Sequence, residues 1–242
     1  MGRPVTLMIC VVFSVSSAFA QATGSVQTGF VAITPVVGFG QGLIVFGRFA
    51  NRNGDQVVQS TGWAGSVLTS SALVVSSDGS SSQNSGIAIV NPSNSAAGIT
   101  LTLRNNQGSI VAYRTITLGA LRQISQFVTE IFNLGPNANV AGLLTISSTV
   151  PIAILGFQFN GAFFSVLPTN VPIGETALLL PQFASGAGWS TDIVIANTTP
   201  AAQTVRVDVY NPVGGILATS PNVNILPGAF TVLPLPGLAM DR

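Results

Sequence analysis

The chain has 242 residues, of which 47% are apolar and 6% charged, and its eight basic and seven acidic side chains leave a net charge of +1. That balance excludes a basic stripe for nucleic acid and a polybasic membrane patch. There is no His and only one Cys, so histidine-based nucleophilic catalysis, Cys/His zinc chemistry and an internal disulfide are excluded as well.

The sequence opens with Met1-Gly2-Arg3, continues through an apolar stretch from Val5 to Val15, and reaches Ala18-Phe19-Ala20, the small-x-small pattern of a signal-peptidase site. Residues 1–20 are therefore expected to be a secretory signal cleaved between Ala20 and Gln21. The apolar run is shorter than the roughly 20 residues a spanning helix needs. It also gives way to Ser14, Ser16 and Ser17, which argues against an uncleaved anchor. Ile9 is too bulky for a lipoprotein signal at Cys10. Cleavage removes that Cys, and the remaining chain must hold together by core burial alone.

After the leader the chain is rich in Val, Ile, Leu and Thr and punctuated by Gly, Pro, Asn and Ser, a composition that reads as all-β with many turns. Gly29–Thr34 and Gly42–Phe49 are strand-like runs, answered downstream by Gly142–Ser147 and Ile152–Phe159. An Asn-Gly step follows each pair, Asn53-Gly54 and Asn160-Gly161, and marks a hairpin because both residues accept positive φ at low cost. Ala72-Leu73-Val74-Val75 answers to Leu178-Leu179-Leu180-Pro181, and Ile87–Asn91 to Ile193–Asn197. The offset is 106 from Asn91 to Asn197, from Asn105 to Asn211 and from Gly108 to Gly214. Within that register Ile99, Leu101 and Leu103 match Val205, Val207 and Val209, while Thr100, Thr102 and Arg104 become Arg206, Asp208 and Tyr210. Retention of every second apolar residue is the mark of a strand with one face in a core. Asn211-Pro212-Val213-Gly214 reads as a tight turn.

Between the copies, Ser125 precedes Gln126–Asn133, where Phe127, Val128, Ile131 and Phe132 fall at helical spacing before Gly135-Pro136. The expected fold is two tandem antiparallel β-sandwiches with one short connecting helix: residues 21–136 as the first and 137–242 as the second. The order LLLPQFASGAGWSTDIVIANTTPAAQTVRVDVYNPVGG, with GALRQISQFVTEIF and GLLTISSTVPIAILGFQF from the first copy, resembles a module repeated in large secreted proteins of environmental bacteria. The resemblance covers nearly all of the chain after the leader. It implies immunoglobulin-like sandwiches without an assigned function. One departure is that Gly188-Trp189 is replaced by Ser82-Gln83 in the first copy.

Chemistry is sparse. The carboxylates Asp55, Asp78, Glu130, Glu175, Asp192, Asp208 and Asp241 are not bracketed in pairs by sugar-stacking aromatics, so no catalytic residue is assigned. In Asn51-Arg52-Asn53-Gly54-Asp55 a hairpin already accounts for Asn53-Gly54, and one carboxylate is a poor offer to Ca²⁺, so no metal or cofactor is assigned. Ser76–Ser85, nearly all Ser, reads as a flexible loop. Trp63 and Trp189 each follow a Gly and are the candidates for ligand or partner contact, against the ordinary expectation that such a Trp caps the core from a loop. The expected role is a secreted, non-catalytic structural and adhesive protein of the cell surface or matrix. Its partners are itself, other surface proteins or a glycan, and the alternative is a carbohydrate-binding module. With no Lys to guard them, strands such as Gly29–Thr34 and Gly142–Ser147 are expected to act as open edges. The polar segment Gln21–Thr28 is a candidate to help join molecules.

Overall fold

The structure, a computed structural model, describes residues 7–11, 29–33, 46–53, 56–64, 67–79, 82–135, 137–161, 163–169, 178–186 and 188–235. Ala20, Gln21 and the segment 21–28 lie outside the described residues. Among the described residues the protein is all-β and antiparallel, sandwich-like, with a single helix of four residues, α1 (Val128–Ile131).

Its centre is a seven-stranded sheet built from β5 (Val67–Asp78), β6 (Gln83–Val90), β7 (Ala97–Arg104), β8 (Ile110–Leu118), β9 (Gln123–Phe127), β10 (Asn139–Asn160) and β11 (Phe163–Leu167). The strand order is β8-β7-β10-β5-β6-β9, with β11 also on β10. Period-two patterning puts Ala97, Ile99, Leu101 and Leu103 of β7 in the core and leaves the residues between them half-exposed. β10 is 22 residues long. Asn139–Ser147 pairs with β5, and Leu143–Ser148 pairs with β7 on the opposite edge. The ladder shifts between Ser147 and Ile152, after which Ala153–Asn160 pairs with β6 and Gly156–Asn160 with β11. One strand thus changes both its neighbours midway and ties together the two groups of strands that enclose the core.

That core contains Leu73, Val75, Ile87, Ile89, Ile99, Leu101, Leu144 and Ile146. Gly142 and Gly156 let β10 lie close. A Cβ on Gly142 would stand 2.6 Å from Leu103 Cδ1, and one on Gly156 would stand 2.8 Å from Leu73 Cδ1. A second cluster joins Ala88, Val90, Leu155, Phe157, Phe159 and Phe164, and Phe30, Ile33 and Phe49 pack on it from the N-terminal strands. Those strands are β1 (Leu7–Val11) paired with β2 (Gly29–Ile33), and β3 (Phe46–Asn53) paired with β4 (Gln56–Ala64).

Residues 178–235 are organised differently. β12 (Asp192–Ala196) pairs with β17 (Phe230–Pro234), β13 (Gln203–Val205) with β16 (Val223–Ile225), and β14 (Asp208–Tyr210) with β15 (Ile216–Thr219). No strand joins these three pairs among the described residues. Val209, Ala218 and Leu235 form their small core, and Phe230 rests on Ala72 and Leu143 of the central sheet.

Four expectations are corrected. The division at residues 136 and 137 does not separate two sheets, because β10, expected to open the second sandwich, is hydrogen-bonded between strands of the first. Leu143–Ser147 is for the same reason not an edge but is paired on both sides; among the described residues Gly29–Ile33 is paired by β1 alone, which lies within residues 1–20, so a chain processed before Gln21 keeps it as an edge. The runs Gly142–Ser147 and Ile152–Phe159 are one strand, and Pro151 falls where its ladder is interrupted and no donor is needed. The helix is shorter than Gln126–Asn133, because Gln126 and Phe127 continue β9 along β6. Phe127 N–H then donates to Glu130 Oε2 at 2.8 Å to start the turn, and Asn133 ends it at φ 57°.

Candidate functional site

Two asparagines with matching bonds hold the corresponding turns of the two halves. Asn91 Nδ2 donates to the carbonyls of Ser95, Leu118 and Gly119 at 2.7, 3.0 and 3.0 Å, and its Oδ1 accepts from the Ser93 N–H and hydroxyl. Asn197 Nδ2 donates to Ala201, Ile225 and Leu226 at 2.8, 3.0 and 3.2 Å, and its Oδ1 accepts from the Thr199 N–H and hydroxyl. Both side chains are buried, and each satisfies one buried carbonyl, that of Leu118 or Ile225, together with two part-buried ones. Further along, Asn105 Oδ1 accepts from the N–H groups of Gln107 and Ser109, and Asn211 Oδ1 from those of Val213 and Gly215. Gly108 and Gly214 complete those turns at φ 86° and 87°.

On this shared frame the burial of register-matched residues differs sharply. Leu73 is 2% exposed and Leu179 is 88% exposed; Ala88 is fully buried and Val194 is 48% exposed. Ile99 and Leu101 are buried, whereas Val205 and Val207 are half-buried. The cause is β10, whose Leu144 lies opposite Leu73 and whose Leu155 lies opposite Ala88. Nothing equivalent covers residues 178–235 among the described residues. Exposed apolar pairs remain there, Val194 opposite Val232 and Tyr210 opposite Ile216, beside exposed Leu178, Leu180 and Val213. A run of uncovered apolar residues on strands with free edges is the feature most suited to a partner.

Charge around this surface is thin. Arg206 donates to Asp208 Oδ2 at 2.9 Å, and the Thr219 hydroxyl donates to Asp208 Oδ1 at 2.9 Å. The Arg206 bond first, then the Thr219 bond, holds the Asp208 carboxyl below its ordinary value. Asp192, at the start of β12, is exposed. Among the described residues no three His, Cys, Asp or Glu side chains gather as metal ligands. No helix among them is long and apolar enough to cross a membrane.

Of the two tryptophans, Trp63 stands in β4 opposite Gly47 rather than in a loop. Trp189 is 72% exposed and so does not cap the core. It closes a tight turn in which its N–H and C=O both bond to Gly186, with Gly186 and Gly188 at positive φ. The structure does not bring Trp63 and Trp189 into one strand pairing.

Ser76–Ser85, expected as a flexible loop, instead spans the ends of β5 and β6. The single Ser85 Oγ–H has Gln158 Oε1 at 2.6 Å and the Ser76 carbonyl at 3.1 Å as alternative acceptors, and Ser76 N–H donates to Ser85 Oγ at 2.8 Å. This polar knot fastens the β5–β6 turn to β10. Sequence reasoning missed it; the signal that could have found it is Gln158 between Phe157 and Phe159, an amide in an otherwise aromatic run.

No protein-family model and no curated protein matches the chain. Two solved structures are similar to part of it. Thermotoga maritima 1070 is 12% identical, with 42% of this chain and 90% of that one covered at a TM-score of 0.34. The Anabaena sensory rhodopsin transducer is 18% identical, with 36% and 90% covered at a TM-score of 0.30. At such scores neither fold nor function transfers.

Proposed function

We propose that the chain is a secreted, non-catalytic structural protein of the cell surface or extracellular matrix, and that it works by associating with other molecules through strand edges. The observation that carries this reading is the set of uncovered apolar residues of 178–235, with Val194, Tyr210, Ile216 and Val232 on its open-edged strands and Leu178, Leu179, Leu180 and Val213 beside them. Buried, these residues would resemble their counterparts in the central sheet; left bare, they favour association. Export rests on Ala18-Phe19-Ala20, with processing before Gln21. Light scattering of the processed protein over rising concentration tests the reading. Mass should grow with concentration, and a strictly monomeric mass throughout refutes it.

Trp189 favours a second reading, a glycan-binding module, because an exposed indole on a rigid turn can stack on a sugar ring. A glycan array read with the parent chain and with Trp189→Ala decides it: binding lost in the variant supports the second reading, and no binding by either discards it.

A further inference from the structure

The two halves of the chain meet at a pair of turns beside Phe230. The Asn105–Ser109 turn between β7 and β8 lies against the Leu226–Ala229 turn between β16 and β17. Gly108 sits on the backbone of Pro227, whose carbonyl a Cβ there would strike, and a Cβ on Gly228 would stand 2.6 Å from Arg104 Cδ and 3.0 Å from its Nε. The Arg104 side chain crosses Gly228 and donates to the Gly108 carbonyl at 3.3 Å. Glycine at 108 and 228 is what allows so close an approach.

Each of these turns has a counterpart in the other half. The first counterpart is Asn211–Gly215, closed by the same backbone bonds as Asn105–Ser109, with Tyr210 in the place of Arg104 and Gly214 in that of Gly108. The second is Gly119–Arg122. Arg122 N–H donates to the Gly119 carbonyl as Ala229 N–H does to that of Leu226, and the Asn91 side chain holds Leu118 and Gly119 as Asn197 holds Ile225 and Leu226. These bonds match Leu121 to Gly228, and both stand at positive φ, 54° and 70°. In the contact between the halves Arg104, Gly108 and Gly228 are half-buried and Ala229 is buried, whereas their counterparts Tyr210, Gly214, Leu121 and Arg122 are all exposed. Leu121 is the odd member. A Leu at positive φ is strained where Gly is not, and with its side chain exposed no core contact in this chain offsets that strain.

We infer that the Asn211–Gly215 turn of one molecule docks on the Gly119–Arg122 turn of a second copy of this chain, repeating between molecules the contact that joins the halves within one. The displacement that carries the turns of the first half onto those of the second, applied again, carries the internal contact onto the intermolecular one, so the chain's own geometry supplies both occupant and pose. Tyr210 then packs over Leu121 where Arg104 packs over Gly228, and Gly214 lies on the backbone of Ala120 as Gly108 does on that of Pro227. Two exposed apolar side chains thus meet each other. In stacked repeats growth stops at an end that presents a polar face. Here one end presents Leu121 and the other Tyr210 with Val213 beside it. Phe230, which anchors the internal contact on Ala72 and Leu143, is matched by Gln123, so the contact between molecules is the weaker of the two. Its two surfaces differ, and molecules therefore join head to tail rather than as a symmetric pair. No strand edge takes part, so this contact goes beyond the edge pairing proposed above and can fail separately from it.

The test uses the full chain in a Cys10→Ser background, which leaves no other thiol. Tyr210→Cys and Leu121→Cys are made separately, and both side chains are exposed, so folding is not at stake. Mixed with a short bis-maleimide, the two variants should be linked as a heterodimer at least about tenfold faster than either is linked to itself, because docking raises the local thiol concentration. The chain carrying both substitutions should give a ladder on denaturing gels. No excess of heterodimer, or a double variant linked only within one chain, overturns the inference. As a second measurement, Leu121→Gly relieves the positive φ, so the melting temperature should hold or rise. Association followed by light scattering should nevertheless weaken by about 5- to 30-fold, as loss of an apolar anchor allows. Unchanged association in this variant, or a weakening that comes with a fall in melting temperature, overturns the inference. Tyr210→Arg together with Leu121→Gly recreates the Arg104–Gly228 pair and should lose less than the two single changes combined; a fully additive loss overturns the pairing. Assembly that survives all these variants removes this contact and leaves edge pairing standing, whereas a monomer at every concentration removes both.

Discussion

Leu73→Ala and Leu179→Ala are the same chemical change at positions 106 residues apart, and the structure assigns them opposite consequences. Leu73 is 2% exposed and opposite Leu144 of β10, and its Cδ1 fills the space where a side chain on Gly156 would stand. Removing three carbons there forfeits about 2.4 kcal/mol of transfer free energy at about 0.8 kcal/mol each. Its neighbours are core side chains on strands paired with β10, which limits how far the hole can close, and the cavity brings the expected loss to about 3–4 kcal/mol. Leu179 is 88% exposed, and its truncation should change stability by less than about 0.5 kcal/mol. Urea unfolding followed by circular dichroism, at a protein concentration low enough to keep molecules apart, reads both. Comparable shifts in midpoint for the two variants would refute the claim that β10 is what distinguishes the halves.

Asn91→Ala should cost about 2–4 kcal/mol, because the buried Leu118 carbonyl and the part-buried carbonyls of Ser95 and Gly119 lose their donor together. Asn91→Asp should not rescue it, since a carboxylate cannot donate; calorimetry of the two variants checks this, and a near-parental melting temperature for the Asp variant contradicts it. Asp208, its carboxyl held low by Arg206 and Thr219, contributes stability that is present above the ordinary aspartate range and is lost as pH falls through its lowered folded-state value. The contribution is small at an exposed pair. Carboxyl NMR should show Asp208 titrating below the ordinary aspartate range, an ordinary or raised value argues against the pairing, and Asp208→Asn should flatten the acid limb of the stability profile.

The period of the strands was readable from residues because it is a local property. Leu101 and Leu103 are buried with Thr100 and Thr102 between them, as alternation requires, and Asn160-Gly161 turns β10 into β11. The fate of Phe127 was not readable. A short apolar run satisfies helical and extended spacing alike, and the vacant edge of β6 decided for the strand. Nor did any local signal tell which half β10 would join, because Leu143–Ile146 is apolar enough for either, and strand pairing across 60 or more residues is settled by the whole sheet. Trp189 shows the same limit at the candidate site: the preceding Gly188 marked a loop, but the tight turn through Gly186 and the exposure of the indole depend on backbone geometry that sequence does not supply. The bare residues of 178–235 look, position by position, like core residues, since what exposes them is a missing neighbour and not their own chemistry.

The placement of β10 after the strands it joins also sets a clock. As the chain is made, β5, β6, β7 and β9 are complete by Phe127, yet the strand that unites them ends only at Asn160. At ordinary rates of synthesis, 5–20 residues per second, that interval lasts roughly two to seven seconds. Throughout it Leu73, Ile87 and Leu101 lack the strand beside which they are buried in the finished fold, and pairing over such sequence separations is intrinsically slow. The first half therefore passes in time through the condition that the second half retains in space. The same delay that keeps a nascent sheet open to its own strand keeps it open to strands of neighbouring chains, so yield of the completed fold should fall as crowding during synthesis rises.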